Sequence, residues 1–246
     1  MTASASAYWV GETNAIPVSQ ATFGEVNMKA KKLACLSPVS NELLRYSGVG
    51  IDSWIAEDLM MKAKISLDNA FLTGSGTNYT PKGLANVTGI QTIGDADTSV
   101  GVTTPIDMVA MLEQANIPMQ NVKWLASPML KSWFAGKSFT TGPFAWADEL
   151  ARTGKLNGYD VISSASVRYD GTGTPDGDIW LGDFSQFLWG VGYDISVEMS
   201  REGTFADGEG NMISAFQNDL TLVRLITEHD FAVRNANAFV KGTFKK

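Results

Sequence analysis

Residues 51–76, IDSWIAEDLMMKAKISLDNAFLTGSG, restrict what this chain can fold into more than any other stretch. Asp52 is a good helix N-cap, because its carboxylate accepts a bond from an orphaned N–H of the first turn. Apolar or small side chains return every three or four positions, at Ile55, Leu59, Ala63, Leu67, Ala70 and Phe71, and so line one helix face. Glu57, Asp58, Lys62, Lys64 and Asp68 fall mostly elsewhere. Gly74 and Gly76 supply the stop, since glycine accepts the left-handed backbone that ends helices. A helix over 52–72 is about 30 Å long at ~1.5 Å per residue. Such a rod spans a small domain, so other elements must pack along it.

The remaining pattern supplies mostly strands. Residues 22–36 alternate as one long strand, and the stretch from Ser37 to Leu44 starts a short helix that 47–50 break. The glycine-rich stretch 74–89 reads as a turn. A helix opens at Thr104-Pro105 and continues to about Asn116. Residues 122–127 read as a buried strand, Pro128 opens a short helix with Leu130 and Trp133, and 158–162 form a further strand. Residues 169–178 are turn chemistry throughout, with Asp176-Gly177 the sharpest hairpin signal. Short strands follow at 179–181 and 187–189, a cleanly alternating one at 194–200, a long one at 220–233 and a closing one at 238–244. Helices and strands mix without regular βαβ alternation, which defines an α+β class.

Several functions are excluded by what the chain lacks. A net charge of −7 argues against a protein built to coat nucleic-acid phosphates. The single cysteine, Cys35, rules out an internal disulfide and any multi-cysteine metal site, and it reads as a small buried hydrophobe. Asp170, Asp176 and Asp178 lack calcium-loop spacing, and the glycines at 74–89 follow a helix when a phosphate loop must feed one. No metal or cofactor is expected. Any hydrolase would have to use the single histidine, His229, which lies in a strand pattern with no nucleophile elbow nearby. No apolar run is long enough to span a membrane, and no secretory leader is expected. Residues 1–21 read as an extended arm whose Trp9, Val10 and Ile16 need a partner surface.

Three stretches in fixed order carry a family likeness. The first is Leu36-Ser-Pro-Val-Ser-Asn-Glu-Leu-Leu44, then the long helix, then Ala70-Phe-Leu-Thr-Gly-Ser-Gly-Thr77 with Pro81-Lys-Gly-Leu84. The second is Gly182-Asp-Phe-Ser185 followed by Asp194-Ile-Ser-Val-Glu-Met-Ser-Arg-Glu202. The third runs from Thr221-Leu-Val-Arg-Leu225 through Phe231-Ala-Val233 to Phe239-Val-Lys-Gly-Thr-Phe244. Together they resemble a tailed-bacteriophage major capsid protein of the Hong Kong 97 type.

The resemblance implies an architecture and a role. Residues 1–21 would form an extended loop lying over a neighbouring subunit, 22–76 and 191–235 a peripheral domain around the spine helix, and 77–190 an axial domain closed by a strand in 236–246. Ile55, Leu59, Ala63, Leu67 and Phe71 would pack the spine, with Gly74 and Gly76 as the hinge to the axial domain. Contact candidates between subunits are Trp9, Val10, Asn14, Ile16, Pro17, Asp170, Asp176 and Asp178. The protein would assemble with itself, as hexamers and pentamers, into an icosahedral virion shell in the bacterial host cytoplasm. It would enclose DNA non-specifically and meet portal, scaffold, protease or decoration proteins.

Two departures from the family pattern stand out. The chain begins almost at the extended loop, as a processed or truncated product would. The matching loop tip, Asn14-Ala15-Ile16-Pro17, has no lysine and the glutamate position near Arg224 is apolar, so the family's lysine–asparagine cross-link onto Asn218 is not expected. Alternatives are an encapsulin-type cargo shell, a His229 hydrolase and a monomeric binding module.

Overall fold

The computed structural model describes residues 7–12, 14–15, 17–20, 24–46, 50–94, 104–136, 146–170 and 176–244. In chain order the elements are β1 (Lys31–Ser40), α1 (Asn41–Tyr46), α2 (Ile51–Thr73), β2 (Gln91–Ile93), α3 (Thr104–Gln114), β3 (Val122–Ala126) and α4 (Pro128–Ala135). Then come α5 (Ala147–Thr153), β4 (Lys155–Leu156), β5 (Tyr159–Ser163), β6 (Tyr169–Asp170), β7 (Asp176–Asp183) and β8 (Phe187–Ser200). The chain closes with β9 (Thr204–Ala206), β10 (Met212–Ser214), β11 (Leu220–Val233) and β12 (Phe239–Phe244).

Among the described residues the strands form a three-stranded sheet β1-β11-β8, a β9–β10 ribbon, and a seven-stranded sheet β2-β12-β7-β3-β5-β4 with β6 beside β7. β11 pairs antiparallel with both neighbours, Leu225 standing between Cys35 and Val197. The smaller core forms where α2 lies on this sheet, with Ile55, Leu59 and Ala63 buried against Val39, Val223 and Leu225. Cys35 packs at its margin as a half-buried thiol. The larger core belongs to the seven-stranded sheet and the helices α3 to α5, centred on Trp124, Trp180, Leu181 and Phe239. Burying Trp124 requires a partner for its indole N–H, which donates to Leu156 O at 2.8 Å.

Several local expectations are corrected. The long strand expected over 22–36 is assigned only from Lys31 and continues through Pro38 to Ser40, so α1 starts at Asn41. Pro38 tolerates this because β1 is an edge strand. Gly50, not Asp52, holds the N-cap of α2. The separate strands expected at 187–189 and 194–200 are one 14-residue strand, β8. Gly190 and Gly192 weaken the local strand signal, yet β11 pairs with both ends of β8 and, through register shifts, with its middle. Asp176-Gly177 is not a turn: both residues lie in β7, Asp170 opposite Asp176 and Tyr169 opposite Gly177.

The exit from α2 is also not as expected. Gly74 has φ −51°, so it is no left-handed cap, whereas Gly76 is left-handed at φ +74°. Gly74 is required for closeness: a Cβ there would lie 2.3 Å from Pro81 O and 2.5 Å from Ala70 O. Gly83 N–H donates to Gly74 O at 2.9 Å, Gly76 N–H to Pro81 O at 3.3 Å, and the Asn86 amide to Gly74 O at 2.7 Å. The hinge expected at Gly74 and Gly76 is a pinned backbone crossing. A Cβ at Gly83 would lie 2.4 Å from Gly74 N, whereas one at Gly208 meets nothing within 4 Å. We therefore expect Gly83→Ala to destabilise the fold by about 1–3 kcal/mol, as overpacking does. Gly208→Ala should be close to neutral, and urea-unfolding midpoints of the two variants check the contrast.

Candidate functional site

The arm comes first. Trp9 is fully exposed, Val18 is 97% exposed, and Tyr8 and Val10 also face solvent. Asn14 and Pro17 are exposed, and the Asn14 N–H donates to Gly11 O at 3.2 Å in a local turn. Ile16 lies outside the described residues. Such an apolar segment with no core of its own is a surface awaiting cover.

A second uncovered surface has no counterpart among the sequence candidates. β8 is an edge strand of the three-stranded sheet, and its alternate residues Trp189, Val191, Tyr193, Ile195, Val197 and Met199 are all exposed. The neighbours of Trp189, Val191, Val197 and Met199 on β11 (Phe231, His229, Leu225 and Val223) are buried, since α2 lies on β1 and β11 and leaves most of the edge strand open. Alternation alone reports a strand with one apolar face. Only the strand order reveals that this face is open. The outer face of α2 adds exposed Trp54, Met61 and Ile65.

The aspartate candidates separate. Asp170 and Asp176 hold the last pair of the β6–β7 ladder. Asp178 is corrected outright: it is 3% exposed and sits in the larger core. Its carboxylate pairs with Lys241 Nζ at 3.1 Å and accepts from the Thr243 hydroxyl at 3.2 Å, while Lys241 also lies over the Trp180 ring. An aspartate in an apparent turn reads as exposed from sequence; here β7 extends through it and β12 covers it. Of the spine residues, Ile55, Leu59 and Ala63 are buried, Leu67 is half-buried, and Phe71 packs at the junction between the sheets. Phe71 meets Phe187 at 4.3 Å and Phe231 at 6.0 Å between ring centroids. Leu72, 2% exposed, belongs to the larger core and is missing from the periodic set.

His229, on which any hydrolase would have to rely, is 4% exposed on β11. Trp189 Nε1–H donates to its Nδ1 at 3.0 Å, and its Nε2 lies 2.7 Å from Thr227 Oγ1. An indole nitrogen only donates, so Nδ1 must be unprotonated and the proton sits on Nε2. A groove of about 900 Å³ at the α1 end of the sheet holds polar groups already joined to one another. Asn41 donates to Asp219 at 2.6 Å, Thr221 donates to Asn41, and Arg45 pairs with Asp219 at 3.1 Å. At the β9–β10 turn, the Asp207 carboxyl is held below its ordinary range, first by the Asn211 backbone N–H and then by the Asn211 side chain.

Two stability consequences follow from this geometry. Burial pushes the His229 pKa below its ordinary 6.5, with the Asp194 charge opposing. Above pH 6.5 the imidazole is neutral in both folded and unfolded chains, so its full contribution is present. Below that, the unfolded chain takes up a proton that the folded chain resists, and stability falls until the depressed folded-state pKa is passed. His229→Gln should lack this component, measured as the difference in urea midpoint between wild type and variant across the pH range. Asp178→Ala should cost on the order of 2–3 kcal/mol, somewhat less than a fully buried pair because water reaches Lys241. Thermal unfolding of this variant checks that figure.

Comparison with known proteins adds the relations. The model of the phage capsid family matches residues 1–244. A major capsid protein of Klebsiella oxytoca phage phiKO2 is 28% identical over 97% of this chain and 57% of its own length. The probable major capsid protein gp17 of Mycobacterium phage D29 is 26% identical over 97% of this chain and 76% of its own. This chain thus spans little more than half of the phiKO2 protein, and 33% of the major capsid protein of Halomonas phage phiHAP-1. Among solved structures, one from Mycobacterium phage Adephagia has a TM-score of 0.74 at 20% identity, covering 98% of this chain and 81% of that one. The capsid of a native GTA particle has a TM-score of 0.75 at 18% identity, with 99% and 82% covered. The mixed α/β fold is that of these capsid structures.

Proposed function

The chain belongs to the phage capsid family, and from that premise we propose that it is the major shell subunit of a tailed-phage head. The observation that carries this reading is the extent of the family match, residues 1–244 of 246. Copies of the chain close into an icosahedral shell in the host cytoplasm, around DNA held without sequence preference. The fold is of the Hong Kong 97 type, with α2 as spine of a peripheral domain over 22–76 and 191–235. Residues 77–190 and 236–246 make the axial domain, and 1–21 the extended loop. In support, the two hydrophobic cores divide the chain in nearly this way, and β12 joins the sheet of the second unit. β8 is continuous across residue 190, so the units share a strand there.

The role is structural, without catalysis. His229 supports this, since it is buried and both its ring nitrogens are engaged, one by Trp189 and the other by Thr227. Shell building needs many modest contacts repeated by symmetry, not one strong site. The exposed arm and the open β8 face are surfaces of that kind. An acidic subunit of charge −7 also holds packaged DNA loosely.

Electron microscopy of the expressed protein tests the reading: closed shells or flat hexameric sheets are expected, and a monodisperse monomer at high concentration would refute it. Trp9→Asp should abolish closed shells, because it charges a side chain that a neighbour must cover. Its effect on subunit unfolding should stay within about 0.5 kcal/mol, as for surface substitutions generally. Sedimentation and thermal unfolding separate these two readouts.

A further inference from the structure

Midway along β8 the ladder with β11 is irregular. Register shifts occur between Ile226 and Glu228 and again between Glu228 and His229. Gly190 and Gly192 lie in the same stretch of β8, so its backbone there is held by few side chains of its own. Against this weak point stands a chain of hydrogen bonds. Trp189 Nε1–H donates to His229 Nδ1 at 3.0 Å, and His229 Nε2–H to Thr227 Oγ1 at 2.7 Å. The Thr227 hydroxyl then donates to the backbone carbonyl of Tyr193 at 3.1 Å. Both ends of the chain lie on β8, on either side of its glycines, and its middle is anchored on β11.

We propose that this Trp189–His229–Thr227–Tyr193 chain is a pH-sensitive latch that holds the middle of edge strand β8, and that protonation of His229 opens it. The argument is one of donors and acceptors. A proton from solvent on Nδ1 turns the only acceptor for the Trp189 indole into a second donor, and two N–H groups then face each other. The indole must leave, and with it the side-chain tie at residue 189. Trp189 is already 63% exposed, so it can swing into solvent without leaving a core cavity. The charge created would sit on a residue that is 4% exposed. Burial opposes that charge and the Asp194 carboxylate favours it. The other titratable groups along this part of the sheet are Glu228 and Asp230 on β11, Tyr193 on β8, Lys31 opposite His229 in register on β1, and Lys29, whose N–H binds the Asp230 carboxylate; α2, packed on the same sheet, carries Lys64 and Asp68 exposed to solvent. Opening would disturb the apolar row Trp189, Val191 and Tyr193. Any consequence for assembly rests on the shell reading above, but the latch itself does not.

The chain carries one histidine, so its imidazole nitrogen resonances are unambiguous. Nitrogen NMR of the full chain across pH 7.5 to 5 should show the Nε2–H tautomer at the high end and a loss of the Nδ1 acceptor as the ring titrates. Hydrogen exchange read by mass spectrometry, corrected for intrinsic rates, is then compared at the two ends of the titration. Peptides covering 187–196 should lose protection at least tenfold on protonation, while peptides from β3 and β7 hold theirs. Trp189→Phe should show the low protection at both pH values, and His229→Gln should remove the pH difference. Unchanged protection in wild type after His229 has titrated overturns the proposal. So does an equal pH-dependent loss in His229→Gln. If that variant does not fold, Trp189→Phe decides alone: a pH-dependent loss as large as in wild type refutes the latch. Because none of these readouts needs an assembled particle, failure of the latch and failure of the shell reading are told apart.

Discussion

Phe71 sits where the last turns of α2 meet both sheets, and the arrangement of the molecule depends on how its ring is held. Phe187 and Phe231, from β8 and β11, meet it edge-on, and Phe184 stacks at 6.5 Å. Phe184 in turn meets Phe239 of β12 at 5.6 Å. The path runs from helix to small sheet to large sheet without leaving aromatic contact. Edge-to-face pairs of this kind are worth about 0.5–1.5 kcal/mol each beyond the area they bury, and they are directional. A direct backbone crossing follows, where Gly74 and Gly83 approach too closely for any Cβ. Side-chain packing before the crossing and main-chain hydrogen bonds at it set the angle between the two sheets.

Once that angle is set, the uncovered surfaces follow. α2 lies across β1 and β11 and touches β8 at Phe187, leaving Trp189 and the alternate residues beyond it exposed. A 14-residue edge strand with an apolar face and unpaired backbone would be an aggregation hazard in a monomer. In a subunit made to join its copies it is an available surface, as is an arm with a fully exposed tryptophan. The same sheet places the only histidine in a buried position where its tautomer is dictated by its neighbours Trp189 and Thr227.

Much of this was readable from residues, and the failures have definite causes. The α2 helix was legible from its 3–4 spacing, and Ile55, Leu59 and Ala63 do face the small core. The long strand β11 was legible from alternation. Asp178 misled because an Asp-Gly pair after a polar loop carries the chemistry of a turn, and nothing local reveals that Lys241 and Thr243 arrive from 63 and 65 residues away in sequence. β8 was split because its glycines interrupt the alternation, although backbone pairing does not need side chains. Gly74 was assigned a conformational reason when its actual reason is contact with a segment nine residues on.

The long helix, the order of the longer strands, the exclusion of an internal disulfide or multi-cysteine metal site, and the family likeness were determined by the sequence alone, because they rest on local periodicity, residue chemistry and motif order. Which faces are covered was decided only by the tertiary structure. Burial depends on what packs from elsewhere in the chain: β12 over Asp178, α2 over β11 but over β8 only at Phe187, Trp189 and Thr227 about His229. The helix over residues 51–73 shows the division most clearly. Its spacing states that it needs a surface, and only the three-stranded sheet specifies how much of that surface it leaves for another molecule.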